Sequence, residues 1–137
     1  MNDVIDNMIL VDQTILHDPP NTWGNCFNAC LATLAQCSIE DTPQFITVDG
    51  VSTCDGDPWW TATQKWGIKR GFIVEYHLED PSGVSIAGGP SPRHNDGHCV
   101  VWKDSKMIHD PHPSRDGIIE VRDFITLTKF SEIKYNG

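Results

Sequence analysis

Positively charged side chains are scarce in this sequence. Its 137 residues include 10 Lys and Arg against 19 Asp and Glu, which gives a formal net charge of -9. Because binding to a nucleic-acid backbone requires clustered Lys and Arg, the composition argues against a nucleic-acid partner. It argues equally against binding to an anionic membrane surface, which attracts basic segments.

Long apolar runs are also missing. No stretch approaches the roughly 20 apolar residues of a membrane-spanning helix. The first residues, MNDVIDNMILVDQ, are acidic where a signal peptide has a positive region, so we expect a cytoplasmic protein. Neither repeats nor a linker interrupt the chain, and residues 1–137 are predicted to form a single domain.

The sequence lacks a CxxC pair, the strongest signal of a zinc site. The number of cysteines is five, which is odd, and no export signal accompanies them, so a disulfide framework is not expected. We expect reduced thiols at all five positions, which are Cys26, Cys30, Cys37, Cys54 and Cys99.

A helix is predicted to begin at Cys26 and to end near Cys37. Apolar side chains at positions 27, 30, 31 and 34 share one helical face, and Asn25 is suited to cap the first turn. A helix N-terminus favours the thiolate, the reactive form of cysteine. Cys26 is therefore a candidate nucleophile, with a simply packed thiol as the alternative, while Cys30 is expected in the core.

The remaining pattern predicts helices first and an antiparallel sheet after them, which is an α+β architecture. The predicted segments are a strand or extended arm at 8–16, short helices at 38–45 and 59–67, a loop at 49–58, and strands at 68–78, 98–102, 107–110 and most of 118–135. Helical spacing favours core positions over a binding-site role for the aromatic residues Trp59, Trp60, Trp66 and Phe72.

A cysteine nucleophile needs a base, and the base needs a group that orients its ring. His98 begins the segment HCVVW and Asp110 ends MIHD, and the turn KDSK between them predicts a hairpin. Its antiparallel pairing places position 98 opposite about 111, so His98 and Asp110 are plausible neighbours. The exact register matters, because a slip of one residue turns a side chain to the other face.

The sequence resembles the papain-like cysteine peptidase superfamily, in which a cysteine opens a helix and the histidine and Asn or Asp come from the following sheet. The segments GNCFNACLATL, EDTPQF, GPSPR, HCVVW and HDPHPSRDGI are similar, more narrowly, to a group of small phage and bacterial proteins. The resemblance spans roughly residues 12 to 120. HDPHPS is its most specific string, because the whole superfamily shares the order Cys, His, Asp.

The resemblance implies a papain-like fold, with the helix that carries the cysteine packed on an antiparallel sheet. It also implies a thiol hydrolase in which Cys26 is the nucleophile, His98 the general base and acid, and Asp110 the residue that orients His98. No metal or organic cofactor is expected. The substrate would be a peptide or protein, and a phage origin would make a host protein in the host cytoplasm a possible target.

The chain departs from the superfamily pattern at the oxyanion hole. Papain-type enzymes have a glutamine about six residues before the cysteine, and here that position is Pro20, which has no side-chain N–H to donate. Asn21 and Gln13 are the candidates to replace it, with a slight preference for Gln13. The backbone N–H of Cys26 is expected to be the second donor.

A substrate groove is expected around the cysteine. Its candidate binding residues are Trp23, Gly24, Asn25 and Gly97, with Trp23 as a wall. Aspartates in the loops opposite would make the mouth acidic and favour a basic peptide; these are Asp49, Asp55, Asp57 and Asp96.

Two other classes of function remain open. The first is a catalytically inactive papain-like scaffold whose groove binds a host protein. The second is a zinc-stabilised module with ligands drawn from His94, His98, Cys99, His109 and His112. His98 and Cys99 are adjacent on a strand and point to opposite faces, which weighs against their sharing one ion.

Overall fold

The computed structural model describes residues 7–133 and has an α+β architecture. Its α-helices are α1 (Cys26–Ala35) and α2 (Trp59–Lys69), and short 3-10 helices lie at Ile39–Asp41 and Phe130–Glu132. The strands are β1 (Ile46–Val48), β2 (Val51–Cys54), β3 (Asp57–Pro58), β4 (Phe72–His77), β5 (Val84–Pro90), β6 (Gly97–Lys103), β7 (Lys106–His109) and β8 (Asp123–Lys129).

The strands form two antiparallel sheets. The smaller contains β1, β2 and β3 in sequence order, and the larger has the strand order β4-β8-β5-β6-β7. The last strand in the sequence, β8, lies between β4 and β5. The larger sheet is therefore complete only when residues 123–129 are in place.

Helix α1 packs on β6 and β5 of the larger sheet. Strand alternation sends Cys99 and Val101 of β6 into the core beneath α1, against Cys30 and Leu31 of the helix. Val100, between them, points to the opposite face and packs with Ala87 and Phe124. The expected packing of a cysteine-bearing helix on an antiparallel sheet is therefore observed, and Cys30 lies in the core.

Several predicted boundaries were wrong. The predicted loop at 49–58 contains β2 and β3, helix α1 ends two residues early at Ala35, and α2 continues past Gly67 to Lys69. The helix at 38–45 is reduced to three residues, and the strands expected over 118–135 are one strand, β8. The end of that prediction, residues 134 and 135, lies outside the described residues.

Residues 8–25 form an arm without a strand, which contains a turn at 18–22 closed by an isolated bridge between Asp18 and Thr22. The arm runs along α1 from its end to its beginning: the N–H of Ile9 donates to Gln36 Oε1, and that of Val11 to Thr33 Oγ1. It then reaches the loop after β7, where the N–H of Gln13 donates to the carbonyl of Pro111 at 3.1 Å. The arm thereby joins α1 to that loop.

No helix within residues 7–133 has the length and apolar character needed to cross a membrane.

Candidate active site

Cys26 is the first residue of α1 and lines a groove on the surface. The first N–H groups of a helix have no partner within it, and no side chain caps this end of α1. The backbone N–H of Cys26 therefore has no partner within the helix and no side-chain cap. Position 24, two residues before Cys26, favours glycine, because a Cβ there would lie only 3.0 Å from both the Cβ and the backbone N of His17.

Asn25 does not cap α1, contrary to the sequence prediction. Its Oδ1 accepts the N–H groups of Thr14 and Ile15 at 3.0 and 2.9 Å, and its Nδ2 donates to Thr14 Oγ1 at 2.9 Å. The side chain is engaged by the arm and is therefore turned away from the first turn of the helix. Asn25 fixes the arm next to Cys26, and it also lines the groove.

Replacing Asn25 with alanine is expected to loosen the arm. Two backbone N–H groups and one hydroxyl lose their partner, and at this partly exposed site we expect a loss of about 1–2 kcal/mol in the free energy of unfolding. Urea denaturation followed by circular dichroism measures it. The matched control is Asn95→Ala at an exposed position, expected to change stability by less than about 0.5 kcal/mol; equal losses in both variants would contradict this role.

His98 and Asp110 form a buried pair. His98 Nε2 lies 2.7 Å from Asp110 Oδ1, and both side chains are almost fully shielded from solvent. The carboxylate also accepts the N–H of His112 at 2.9 Å and the N–H of Gly117 at 2.7 Å. These contacts fix the carboxylate, which in turn orients the ring. Since Nε2 faces Asp110, Nδ1 is the nitrogen left for the Cys26 thiol, with which His98 interacts.

Asp110 follows directly after β7, whose hairpin with β6 is irregular. The hairpin pairs Trp102 with Met107, but the register then shifts, and Val101 pairs with His109. One extra residue on β7 therefore lies in the hairpin before Asp110. The Asp110 carboxylate acts electrostatically on Cys30 and Cys99, which lie beneath α1.

The Cys26 thiol is held in its protonated form. Its contact with Cys99 and its burial raise the pKa of Cys26 well above the ordinary value, and His98 lowers it by less. Burial tends to lower the pKa of His98, but the contacts with Cys26 and Asp110 outweigh burial and raise it. The shift of the Cys26 pKa is thus opposite in direction to the lowering expected for a cysteine at a helix N-terminus.

Gln13 lies on the groove and Asn21 does not. Gln13 is buried; its Nε2 donates to the carbonyl of Ile15 at 2.9 Å, which leaves a second N–H on that nitrogen, and its Oε1 has no partner. An unpaired buried polar atom is rare in a native protein. Asn21 is exposed on the arm, at 3.4 Å from Asp18 Oδ2. The geometry favours Gln13 over Asn21 as the second oxyanion donor.

The groove has a volume of about 930 Å³, within the range of ligand sites. The four predicted binding residues line it: Trp23, Gly24, Asn25 and Gly97. Trp59 was expected in the core, yet it is 40% exposed and lines the groove beside Phe27 and Phe45. Trp59 is the first residue of α2, where a helix packs less completely than in its middle. Helical spacing alone does not take this position into account.

The predicted acidic mouth is only partly formed. Among its four aspartates, Asp96 lines the groove, but Asp49, Asp55 and Asp57 do not. Asp96 is also engaged by His17, whose Nε2 lies 2.6 Å from its Oδ2. Arg93 and Arg122 add positive charge to the lining, so the groove as a whole has mixed charge.

The proposed zinc ligands do not come together. In the described part of the chain, the group with three candidate ligand atoms within 4.8 Å of one another is His17, His94 and Asp96. Nδ1 of His17 accepts the N–H of Gly24, and Nδ1 of His94 accepts the N–H of Asp96, both at 3.1 Å. A metal-bound imidazole normally binds the ion with one nitrogen and donates an N–H from the other. In these two rings Nδ1 accepts a hydrogen bond, so Nε2 carries the proton and is not available as a ligand.

The residues that sequence reasoning missed are those that hold the site. Arg115 binds the carboxylate of Asp12 through both terminal nitrogens, at 2.7 and 3.1 Å, and also donates to the carbonyl of Asp110. The arm and the loop after β7 are thus joined beside the His98–Asp110 pair. Asp12 and Arg115 are distant in sequence, and no local pattern pairs them.

Comparison of the chain with protein-family models, with curated proteins and with solved structures gave no match.

Proposed function

We propose that this protein is a papain-like thiol hydrolase that cleaves an amide, isopeptide or thioester bond through an acyl-enzyme. The observation that supports it most is the buried His98–Asp110 pair, 2.7 Å apart, beside a thiol that opens a helix on a groove. A nucleophile next to a base that is itself oriented by a third group is the general arrangement for covalent catalysis.

In the proposed mechanism, His98 Nδ1 removes the proton of Cys26 as the sulfur attacks the substrate carbonyl. The developing oxyanion accepts hydrogen bonds from the Cys26 N–H and from Gln13 Nε2. His98 then returns the proton to the leaving group, and the acyl-enzyme is hydrolysed by a water that His98 deprotonates. Because the resting sulfur is a thiol, proton removal accompanies the attack.

This mechanism is tested by alkylation of Cys26 with iodoacetamide, measured by mass spectrometry from pH 6 to 9. The rate is expected to rise with pH through the pKa of His98, which lies above its ordinary value of about 6.5, because only the neutral ring accepts the proton. In His98→Ala this rise is lost and labelling at neutral pH slows by about a hundredfold, the lower end of general-base assistance.

The control is Cys54, which lies on β2 and does not line the groove. Its labelling rate should be the same in both proteins. The proposal fails if Cys26 labels no faster in the wild type than in His98→Ala, or if Cys26 does not label at all.

A catalytically inactive scaffold that binds a protein in the groove is the second candidate. The raised pKa of Cys26, caused by the contact with Cys99 and by burial, favours it. Failure of the alkylation test would point to this function, and affinity capture on the groove variant Trp23→Ala against the wild type would then test it. The phage origin, the host target and the cytoplasmic location stay predictions.

A further inference from the structure

Three thiols meet where α1 crosses β6. Cys99 Sγ donates a hydrogen bond to Cys26 Sγ, with the two sulfurs 3.5 Å apart, and Cys30 also contacts Cys99. Cys26 is half-buried at the groove, whereas Cys99 lies behind it in the core beneath α1. The less buried member of the pair is the proposed nucleophile, and the proposed hydrolase mechanism gives the second member no role.

We propose that Cys26 and Cys99 form a reversible disulfide when the protein meets hydrogen peroxide. Peroxide oxidises the Cys26 thiol to a sulfenic acid and releases one water. The Cys99 thiol then attacks that sulfur, a second water leaves, and the S–S bond forms. In total two thiols are oxidised and one peroxide is reduced to two waters, so no further reactant is required.

The geometry selects Cys99 as the partner. A disulfide needs its sulfurs about 2.05 Å apart, so the 3.5 Å separation must shrink by about 1.5 Å, which is within reach of side-chain rotation. Cys30 lies a full turn inside α1 and is completely buried, and Cys37 and Cys54 do not line the groove. Both Cys26 and Cys99 line the groove, and Cys26 is the less buried of the two, so peroxide entering the groove is expected to react with Cys26 first.

The disulfide would inactivate Cys26 and would also protect its sulfur from further oxidation. A sulfenic acid without a neighbouring thiol is oxidised further to sulfinic acid, which thiol reductants do not reverse. Condensation with Cys99 stops this sequence at a reducible product. The raised pKa of Cys26 makes the first step slow at neutral pH, so oxidation is expected to accelerate as the pH rises toward 9.

The test treats the reduced wild-type protein with hydrogen peroxide at pH 8, followed by non-reducing digestion and mass spectrometry. We expect a linked peptide containing Cys26 and Cys99, loss of iodoacetamide labelling at Cys26, and full recovery of that labelling with dithiothreitol. In Cys99→Ser the linked peptide is absent, Cys26 is found as sulfinic acid, and dithiothreitol restores no labelling. Cys54→Ala, as the matched control, behaves like the wild type.

Accumulation of sulfinic acid at Cys26 in the wild type, without the linked peptide, would overturn the inference. So would a disulfide between two copies of the chain, or one that joins Cys30 to Cys99. These readings need only the wild type, so they hold even if Cys99→Ser folds poorly. His98→Ala separates this inference from the hydrolase proposal, because hydroxide can remove the thiol proton when His98 is absent, so the linked peptide should still form at pH 9, only more slowly.

Discussion

Replacing Gln13 with alanine is expected to slow acylation of Cys26 by an activated ester by about 10²–10³-fold, the usual cost of losing one oxyanion donor. Gln13 lies on the groove with one N–H of Nε2 not used by Ile15. p-Nitrophenyl acetate is a suitable ester, because release of nitrophenol reports the acylation step directly.

Alkylation provides an internal control for this variant. Attack on iodoacetamide forms no oxyanion, so the iodoacetamide rate at Cys26 should be unchanged in Gln13→Ala. Asn21→Ala, which alters the competing candidate on the exposed arm, should leave both rates unchanged. A parallel fall in the two rates of Gln13→Ala would mean that the arm has moved, and Gln13 would then be structural.

Removing the Asp110 carboxylate is expected to lower the free energy of unfolding by about 3–5 kcal/mol, as when one partner of a buried pair is lost. Asp110→Ala leaves three donors without their acceptor: His98 Nε2 and the N–H groups of His112 and Gly117. Chemical denaturation at pH 5.5 measures the loss. Asp116→Ala, in the same loop but exposed, should cost less than about 0.5 kcal/mol.

The pH dependence of that difference has a definite sign. Burial tends to raise the pKa of Asp110, but its hydrogen bonds outweigh burial and lower it, so its stabilisation is present above about 3.9 and lost as the pH falls through the lowered value. The raised pKa of His98 gives stabilisation below about 6.5 that is lost as the pH rises through the raised value. The destabilisation by Asp110→Ala should therefore be largest between about pH 4 and 6.5; a constant difference from pH 4 to 9 would contradict the coupling.

Local patterns were sufficient to predict the central residues of the site. Helical spacing placed Cys26 at the start of α1, and the turn KDSK placed His98 and Asp110 on a hairpin. These predictions depend on short-range periodicity and turn chemistry, which a single sequence records directly. The α+β class followed from the order of the elements.

The remaining features depend on contacts between distant segments. The β-bulge in the hairpin of β6 and β7 has no turn residue to mark it. Asn25 has the composition of a helix cap, but its side chain bonds to Thr14 and Ile15 instead. The contact of Cys99 with Cys26 depends on how α1 packs on β6. The spacing of residues within the helix or within the strand does not specify that packing.

The insertion of β8 between β4 and β5 has a consequence for the protein during its synthesis. Cys26 leaves the ribosome before Gly117, which holds the carboxylate that orients His98, and before β8, which completes the sheet beneath α1. A nascent chain therefore carries the thiol without an oriented base until β8 has been made. The proposed hydrolytic activity should appear only after β8 has been synthesised, and chains terminated before Gly117 should have none.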